Sequence, residues 1–519
     1  MASETSKCHI VAVIDIGTIA IRMVVAEVGS KNEIRYLENL QKTVRFGKDV
    51  FTTRRLSSQS MREGISILKD FKLVLDTYGV TRVHAVATSA VREALNRDNF
   101  IDQIYVRTGL DVEILDGPEE NRLELIAVDH ALEDKIDLAN KNCLIVEVGS
   151  GSTELILMKQ GQVEVARTLP LGSVRLPEEI EVGKTDIAVM QRVLKRNIRD
   201  VVMYAAREYN LNEVDTFIAL GGDMRFLAHQ LIDSIEDRYV ELDKKAVSGF
   251  VTRISKMTPE EITKEAGIPY AQAETLYAAL LYYLYFLNET KVEKIIVPMI
   301  SIRDGLLLEM SQLLSGYKRT DLSKQVLNSA RHLSEKYQYD KTHATCVAGL
   351  AVKLFDAMQV DHGLKTRERL LLEVSAILHD IGTFISPSSH HKHSSYIIDA
   401  SDIFGLRKSD KNIVSNVVRY HRRALPKLTH VPYVSLSKQD RATVSKLAAI
   451  LRVADALDHS HQQKIRQFTL KRSEQGYFLW IDKEVGDIAL ERESLKLKGK
   501  MFSDVFGAPI QLRQGVPTK

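Results

Sequence analysis

The chain has 519 residues, 45% of them apolar and 27% charged, with a formal net charge of +3. Those values exclude a disordered polyelectrolyte and a globally basic nucleic-acid binder, so any anion site must be local. The three cysteines, Cys8, Cys143 and Cys346, include no CxxC pair, which argues against a disulfide scaffold and for a reducing cytoplasm. The start of the chain lacks a signal-peptide pattern, and no stretch reaches the roughly 18 apolar residues of a membrane helix. A cytoplasmic protein with neither nucleic-acid nor membrane partners is expected.

In chain order, "HIVAVIDI", "IRMVVAEV" and "EIRYLENLQ" read as three strands joined by short turns. Residues 56–79 read as a helix with Ile65, Leu68, Phe71, Leu73 and Leu75 on one face. "RVHAVATSAVREA" reads as strand, loop and helix. "DVEILDGPEENRLELIAVDHAL" repeats that order, with Pro118 in the first helical turn, where its missing N–H costs nothing. A second hairpin begins at Cys143, followed by helices over 184–208, 224–232 and 272–288, with strands at "TFIALGG" and "KIIVP". Strands alternating with helices in two halves imply a duplicated α/β architecture. Beyond about residue 315 strand patterns vanish and helical periodicity runs from 322 to 460, before "RQFTLKRSEQGYFLWID" returns to a hairpin.

The two halves open with the same motif. "VAVIDIGTIAIRMVVAEV" (11–28) shifted by 132 positions falls on "CLIVEVGSGSTELILM" (143–158), placing Asp15 on Glu147, Gly17 on Gly149, Thr18 on Ser150 and Arg22 on Glu154. Either hairpin alone would serve as an ordinary polar turn. Two such turns, each with an acid at a strand end, form a phosphate clamp when they face one another, because Gly/Ser turns point backbone N–H groups at anions. Acids beside phosphate require a cation between them, and Mg²⁺ takes carboxylate and phosphate oxygens. Asp15, Glu147 and Glu154 are therefore the candidate metal positioners. Gly17, Thr18, Gly149, Ser150, Gly151, Ser152 and Thr153 are the candidate phosphate donors.

The series "VIDIGTIAIRMVV", "ATSAVREALNRDNF", "EILDGPEENRLELI", "EVGSGSTEL" and "ALGGDMRFLA" resembles the exopolyphosphatase and guanosine pentaphosphate phosphohydrolase family of the actin-like superfamily. The resemblance covers about residues 8–315 and continues more loosely beyond. It implies two actin-like (ribonuclease H-like) lobes with a cleft between them, and Mg²⁺-dependent hydrolysis of terminal phosphoanhydrides. It implies Glu120 of "GPEENR" as the catalytic base, and Arg22, Arg92, Asn96, Gly221 and Gly222 as further phosphate contacts. It also implies a homodimer, with guanosine tetraphosphate (ppGpp) as a regulator. A carboxylate in the first turn of a helix suits the base, since the dipole there favours its ionised form. Without the resemblance, Glu119 and Glu120 would read as residues that merely favour a helix N-terminus. The sequence departs from the family pattern at Ile19-Ala20 in the first turn, at Glu147 in place of Asp, and at Asn121 after the base.

In the helical part, "YDKTHATCVAGLAVKLF", "EVSAILHDIGTFI", "HHKHSSYII", "VVRYHRR" and "LAAILRVADALDHS" resemble the HD phosphohydrolase superfamily. The matched residues are His343, His379, Asp380 and Asp455, with His393 and His421 as additional candidates. They imply a second divalent metal, since imidazole and carboxylate are suitable ligands. A scaffold that only widens a polyphosphate channel and builds a dimer is the alternative. Arg419, Arg422, Arg423 and Lys427, then Lys464, Arg466, Lys471 and Arg472, are its candidate basic lining, or else solvated surface charge.

The expected fold class is α/β: actin-like lobe I at 1–126, lobe II at 127–315, an all-α HD-like domain at 316–463 and a small α+β domain at 464–519. The leading expected function is an exopolyphosphatase, a phosphoanhydride hydrolase releasing orthophosphate from inorganic polyphosphate. One alternative keeps the chemistry with guanosine pentaphosphate (pppGpp) as substrate. Another class of alternative, prompted by Ile19 and Glu147, is a non-catalytic regulator that binds polyphosphate or an alarmone.

Overall fold

The structure is a computed structural model that describes residues 8–29, 34–80, 82–133, 135–175, 187–315, 322–422 and 424–515. It divides after Asp321 into two compact units. The first unit holds two mixed sheets. One has five strands in the order β3-β2-β1-β4-β5: β1 (His9–Ile16), β2 (Ala20–Val28), β3 (Ile34–Thr43), β4 (Arg82–Ala87) and β5 (Val112–Ile114). The other has six in the order β10-β11-β9-β6-β7-β8: β6 (Cys143–Val148), β7 (Thr153–Lys159), β8 (Gln162–Leu169), β9 (Thr216–Leu220), β10 (Tyr239–Asp243) and β11 (Lys294–Pro298). Both sheets begin with an antiparallel hairpin that then pairs in parallel with the strand returning from a crossover.

The sequence repeat survives as a register repeat. Asp15 pairs with Arg22 across β1 and β2, and Glu147 pairs with Glu154 across β6 and β7. Gly17 N–H donates to Ala20 O at 3.0 Å, and Gly149 N–H donates to Ser152 O at 2.8 Å. Turn length fixes register, so each acid faces a residue that the 132-position shift had already paired.

Side chains alternate across a strand, and β1 buries both faces. Ala12, Ile14 and Ile16 pack with Ile65, Leu68, Phe71 and Leu75 on one side. Val11 and Val13 pack with Leu123, Leu306, Leu307 and Met310 on the other. Leu73 is the exception to the expected helix face: it is 67% exposed, because it lies two residues, hence about 200° of helix, from Leu75. The helix Ile302–Ser315, which follows β11, thus packs against the first sheet, and the 126/127 boundary falls inside the helix Gly117–Leu132. The helix expected over 184–208 is Ile187–Tyr209; residues 184–186 lie outside the described residues.

The second unit is helical from Ser323 to Leu457 and ends in a three-stranded sheet, β12 (Thr469–Ser473), β13 (Gly476–Ile481) and β14 (Ile510–Gln514), in that order. β12 and β13 form the expected hairpin. Helices and sheet share one hydrophobic core, from Val326 through Ile450 to Leu512. Among the described residues no helix is long and apolar enough to cross a membrane.

Glu119 and its neighbour Glu120 have separate duties. Glu119 is buried and takes a two-pronged bond from Arg122, at 2.8 and 2.7 Å, while Arg122 also reaches Glu309 at 2.7 Å on the helix Ile302–Ser315. Removing the cation leaves Glu119 buried without its counter-charge. Arg122→Ala is expected to destabilise this unit by about 3 kcal/mol, read as a lower midpoint of its transition in urea, with Arg122→Lys intermediate.

Candidate active site

The matched turns line a cleft of about 350 Å³, within the range of small-molecule sites. Asp15, Glu147 and Glu154 face it, as the sequence led one to expect, together with Glu120. Two acids that sequence reading missed join them. Glu124 lies one helical turn after Glu120 and so on the same face. Asp223 sits in the first turn of the helix Gly222–Leu231. Arg225 and Arg303 also line the cleft; Arg225 stands in the quoted stretch "ALGGDMRFLA", but no spacing rule picked out either residue.

The helix Gly117–Leu132 sets Glu120 in place. Asp116 caps it by accepting from Glu119 N at 3.1 Å, and Pro118 occupies the first turn. Glu120 is buried and ion-paired to Arg92, which also donates to Leu115 O at 2.8 Å. Burial pushes the Glu120 carboxyl up, and the Arg92 guanidinium pulls it partly back. Glu124 and Glu154 are driven well above the usual carboxylate range, by burial first and by neighbouring carboxylates next. Burial also raises Asp223, to about 6, against the pull of Arg22 and Arg225.

This set of oxygens fits a hard divalent cation. Glu124 Oε2 is buried with no hydrogen-bond partner, and Glu147 and Glu154 oppose one another in register. Crowded buried carboxylates with an orphaned oxygen are the donors Mg²⁺ requires. Asp15 is partly compensated by Arg22 at 3.5 Å, and Arg22 is held in turn by Gln41 at 2.9 Å.

Several expected phosphate donors are committed elsewhere. The N–H groups of Gly17 and Gly149 close their own turns. The Thr18 hydroxyl pairs with Ser89 at 3.0 Å, that of Ser152 with Glu154 at 2.7 Å, and that of Thr153 with Leu171 O at 2.7 Å. Gly151 lies against Ser89 and Phe51, and its carbonyl accepts from Arg175 at 2.6 Å. Asn96 is removed from the cleft altogether, because both ends of its amide bond the Leu56 backbone at 2.9 Å. Thr18, Ser150, Ser152 and Gly222 do line the cleft. Gly221 lies beneath, at φ +99°, where a Cβ would approach the Tyr283 hydroxyl to 2.9 Å. That hydroxyl accepts from Val148 N at 2.8 Å and donates to Leu220 O, tying β6 to β9.

In the second unit His343, His379, Asp380 and Asp455 converge. His343 Nε2 lies 3.2 Å from His379 Nε2, 3.9 Å from Asp380 and 3.8 Å from Asp455. His421 joins them, 3.5 Å from Asp380. His393 does not: its helix, His390–Ala400, turns His390 toward Asp380 instead, at 3.1 Å. The basic lining is partly spent, with Arg472 on Asp361 at 2.5 Å and Lys464 on Asp487 O at 2.8 Å; Arg423 lies outside the described residues.

Two α/β lobes opening on one carboxylate-lined cleft through duplicated turns define the actin-like class. Residues 24–314 match the Ppx/GppA phosphatase family, and residues 327–498 match domain III of Ppx/GppA phosphatases. The chain belongs to the Ppx/GppA phosphatase family. It is 24% identical to the guanosine-5'-triphosphate,3'-diphosphate pyrophosphatase of Photobacterium profundum over 87% of this chain and 88% of that one. The crystal structure of the Aquifex aeolicus family member has 25% identity and a TM-score of 0.50, covering 60% of this chain and 100% of that one. An exopolyphosphatase from Cytophaga hutchinsonii has 22% identity and a TM-score of 0.53, covering 60% of this chain and 99% of that one.

The raised carboxyls carry a linkage consequence. A buried acid held above its unfolded value favours the folded state at low pH, and that contribution is lost as pH rises through the folded value. In metal-free protein, Glu124→Gln is expected to raise the thermal midpoint at pH 8. The gain should shrink at pH 5, because a raised carboxyl takes up its proton more readily as pH falls, and a differential melt at the two pH values reads it directly.

Proposed function

We propose that the cleft hydrolyses the terminal phosphoanhydride of guanosine pentaphosphate, with Glu120 as the water-orienting base. The observation that carries this reading is a buried carboxylate at a capped helix start, raised by burial and paired to one arginine, beside two matched turns. Phosphate oxygens compete with Glu120 for Arg92. As Arg92 turns to the phosphoryl group, Glu120 is released to accept a hydrogen bond and then a proton from water. The N–H groups of Thr18, Ile19, Ser150 and Ser152 remain to meet charge on the transferred group. Arg22, Arg225 and Arg303 meet the phosphates that stay behind. Asp15, Glu147 and Glu154, with Glu124, would hold Mg²⁺, which supplies charge neutralisation on the phosphate oxygens.

The choice of nucleotide over polymer reverses the order suggested by the sequence. Relatives named for guanosine pentaphosphate run along most of this chain, helical unit included. The likeness to a named exopolyphosphatase covers 60% of this chain and speaks for the fold.

Orthophosphate release is measured with guanosine pentaphosphate and long-chain polyphosphate side by side, in Mg²⁺. Faster release from the nucleotide is expected, and Glu120→Gln should reduce it by about 10²–10⁴-fold. Preference for the polymer would return the substrate to polyphosphate. Binding of either without release would make the chain a regulator. Release unchanged in Glu120→Gln would overturn the assignment of the base.

A further inference from the structure

The small sheet that ends the second unit has one face with no part in its core. Side chains alternate across a strand. On β13, Tyr477, Leu479 and Ile481 point into the shared hydrophobic core, with Ile510 and Leu512 of β14 beside them. The opposite face carries Phe478 and Trp480, the chain's only tryptophan. Register sets their neighbours. On β12, Lys471 pairs with Phe478 and Thr469 with Trp480. On β14, Gln511 pairs with Phe478 and Arg513 with Trp480. These four flanking side chains are exposed, so this face of the sheet meets solvent.

A solvated sheet face is ordinarily polar, yet this one sets two aromatic rings on its central strand. Arg513 lies over them. Its guanidinium carbon is 4.1 Å from the centre of the Phe478 ring and 5.8 Å from that of Trp480. Phe478 is buried beneath, while Trp480 is only half-buried. Arg513 has no carboxylate partner among the described residues, and the strand register places no acid on this face. A planar guanidinium held on one ring offers its outer plane to a second ring. Alternate residues of a strand stand about 6.7 Å apart. The Arg513 plane over Phe478 and the ring of Trp480 are therefore two adjacent stacking platforms, flanked by the charge of Lys471.

We propose that this face binds single-stranded RNA, with one base stacked on Arg513, the next on Trp480, and Lys471 and Arg513 meeting backbone phosphates. Unpaired bases are recognised by stacking on aromatic rings and arginine planes within a basic surface, which is the composition found here. Inorganic polyphosphate carries no ring and gains nothing from Phe478 or Trp480, so the aromatic pair argues against a plain anion surface. Thr469 and Gln511 both donate and accept hydrogen bonds, as does the ribose 2′-hydroxyl that separates RNA from DNA. The expectation of no nucleic-acid partner rests on the global charge of +3, and a local face of two cations without acids is compatible with that balance. The inference is independent of the chemistry assigned to the cleft.

The test uses the full chain, titrated with labelled oligoadenylate while anisotropy reads binding and Trp480 emission reads its location. Saturable binding that quenches Trp480 is expected. Arg513→Gln should weaken binding about tenfold, the effect of losing one stacked base, and leave orthophosphate release from guanosine pentaphosphate unchanged. Inorganic polyphosphate with the same number of phosphates should not quench Trp480. Equal quenching by polyphosphate would overturn the proposal and make the face a plain anion surface. Equal affinity for oligodeoxyadenylate would overturn the choice of RNA. Binding unchanged in Arg513→Gln would place the RNA elsewhere on the chain. Absence of binding would overturn the proposal outright, and self-association lost in Arg513→Gln would then give the face to a second copy.

Discussion

Too many carboxylates share one buried space in the first unit. Asp15, Glu120, Glu124, Glu147, Glu154 and Asp223 all face a single cleft, and burial raises the proton affinity of Glu120, Glu124, Glu154 and Asp223. A globular fold tolerates such an arrangement when the acids hold protons or when a positive group enters. Arg92 answers for Glu120 and Arg22 for Asp15; in the proposed metal site a divalent cation answers for Glu124, Glu147 and Glu154. The rest of the unit serves this constraint. Two sheets deliver acids at strand ends, a capped helix delivers two more one turn apart, and Tyr283 ties the strand ends beneath them.

Under the proposed mechanism, that constraint also lets one residue be both structural and reactive. In the described structure Glu120 is neutralised by Arg92, so it is stable and occupied. A phosphate chain brings oxygens that suit Arg92 better than one carboxylate does, because they are several and carry more charge. In the proposed mechanism the exchange frees Glu120 only when there is something to hydrolyse. Glu119, one residue earlier, is spent on Arg122, which also holds Glu309 of the returning helix, so of the pair "EE" only Glu120 faces the cleft.

Much of this was legible in the sequence, for identifiable reasons. The hairpin repeat was visible because turn length fixes which residues face each other across two strands, and Asp15 with Arg22 and Glu147 with Glu154 do so. Glu124 was equally legible in principle, being four residues after Glu120 on one helix. The side chains of Asn96 and Thr153 are committed away from the cleft because a side chain's nearest backbone partner is a tertiary fact: Leu56 is 40 residues from Asn96. His390 and His393 differ by three residues on one helix, and only the helix's phase against Asp380 decides between them.

In the proposed mechanism the cleft's surplus negative charge makes a divalent cation obligatory for phosphoanhydride hydrolysis. The direct measurement is orthophosphate release from guanosine pentaphosphate by chelator-stripped protein as Mg²⁺ is titrated back. No release is expected without the ion and saturable recovery with it, with the concentration for half-recovery raised in Glu147→Gln. Full release in excess chelator would contradict it.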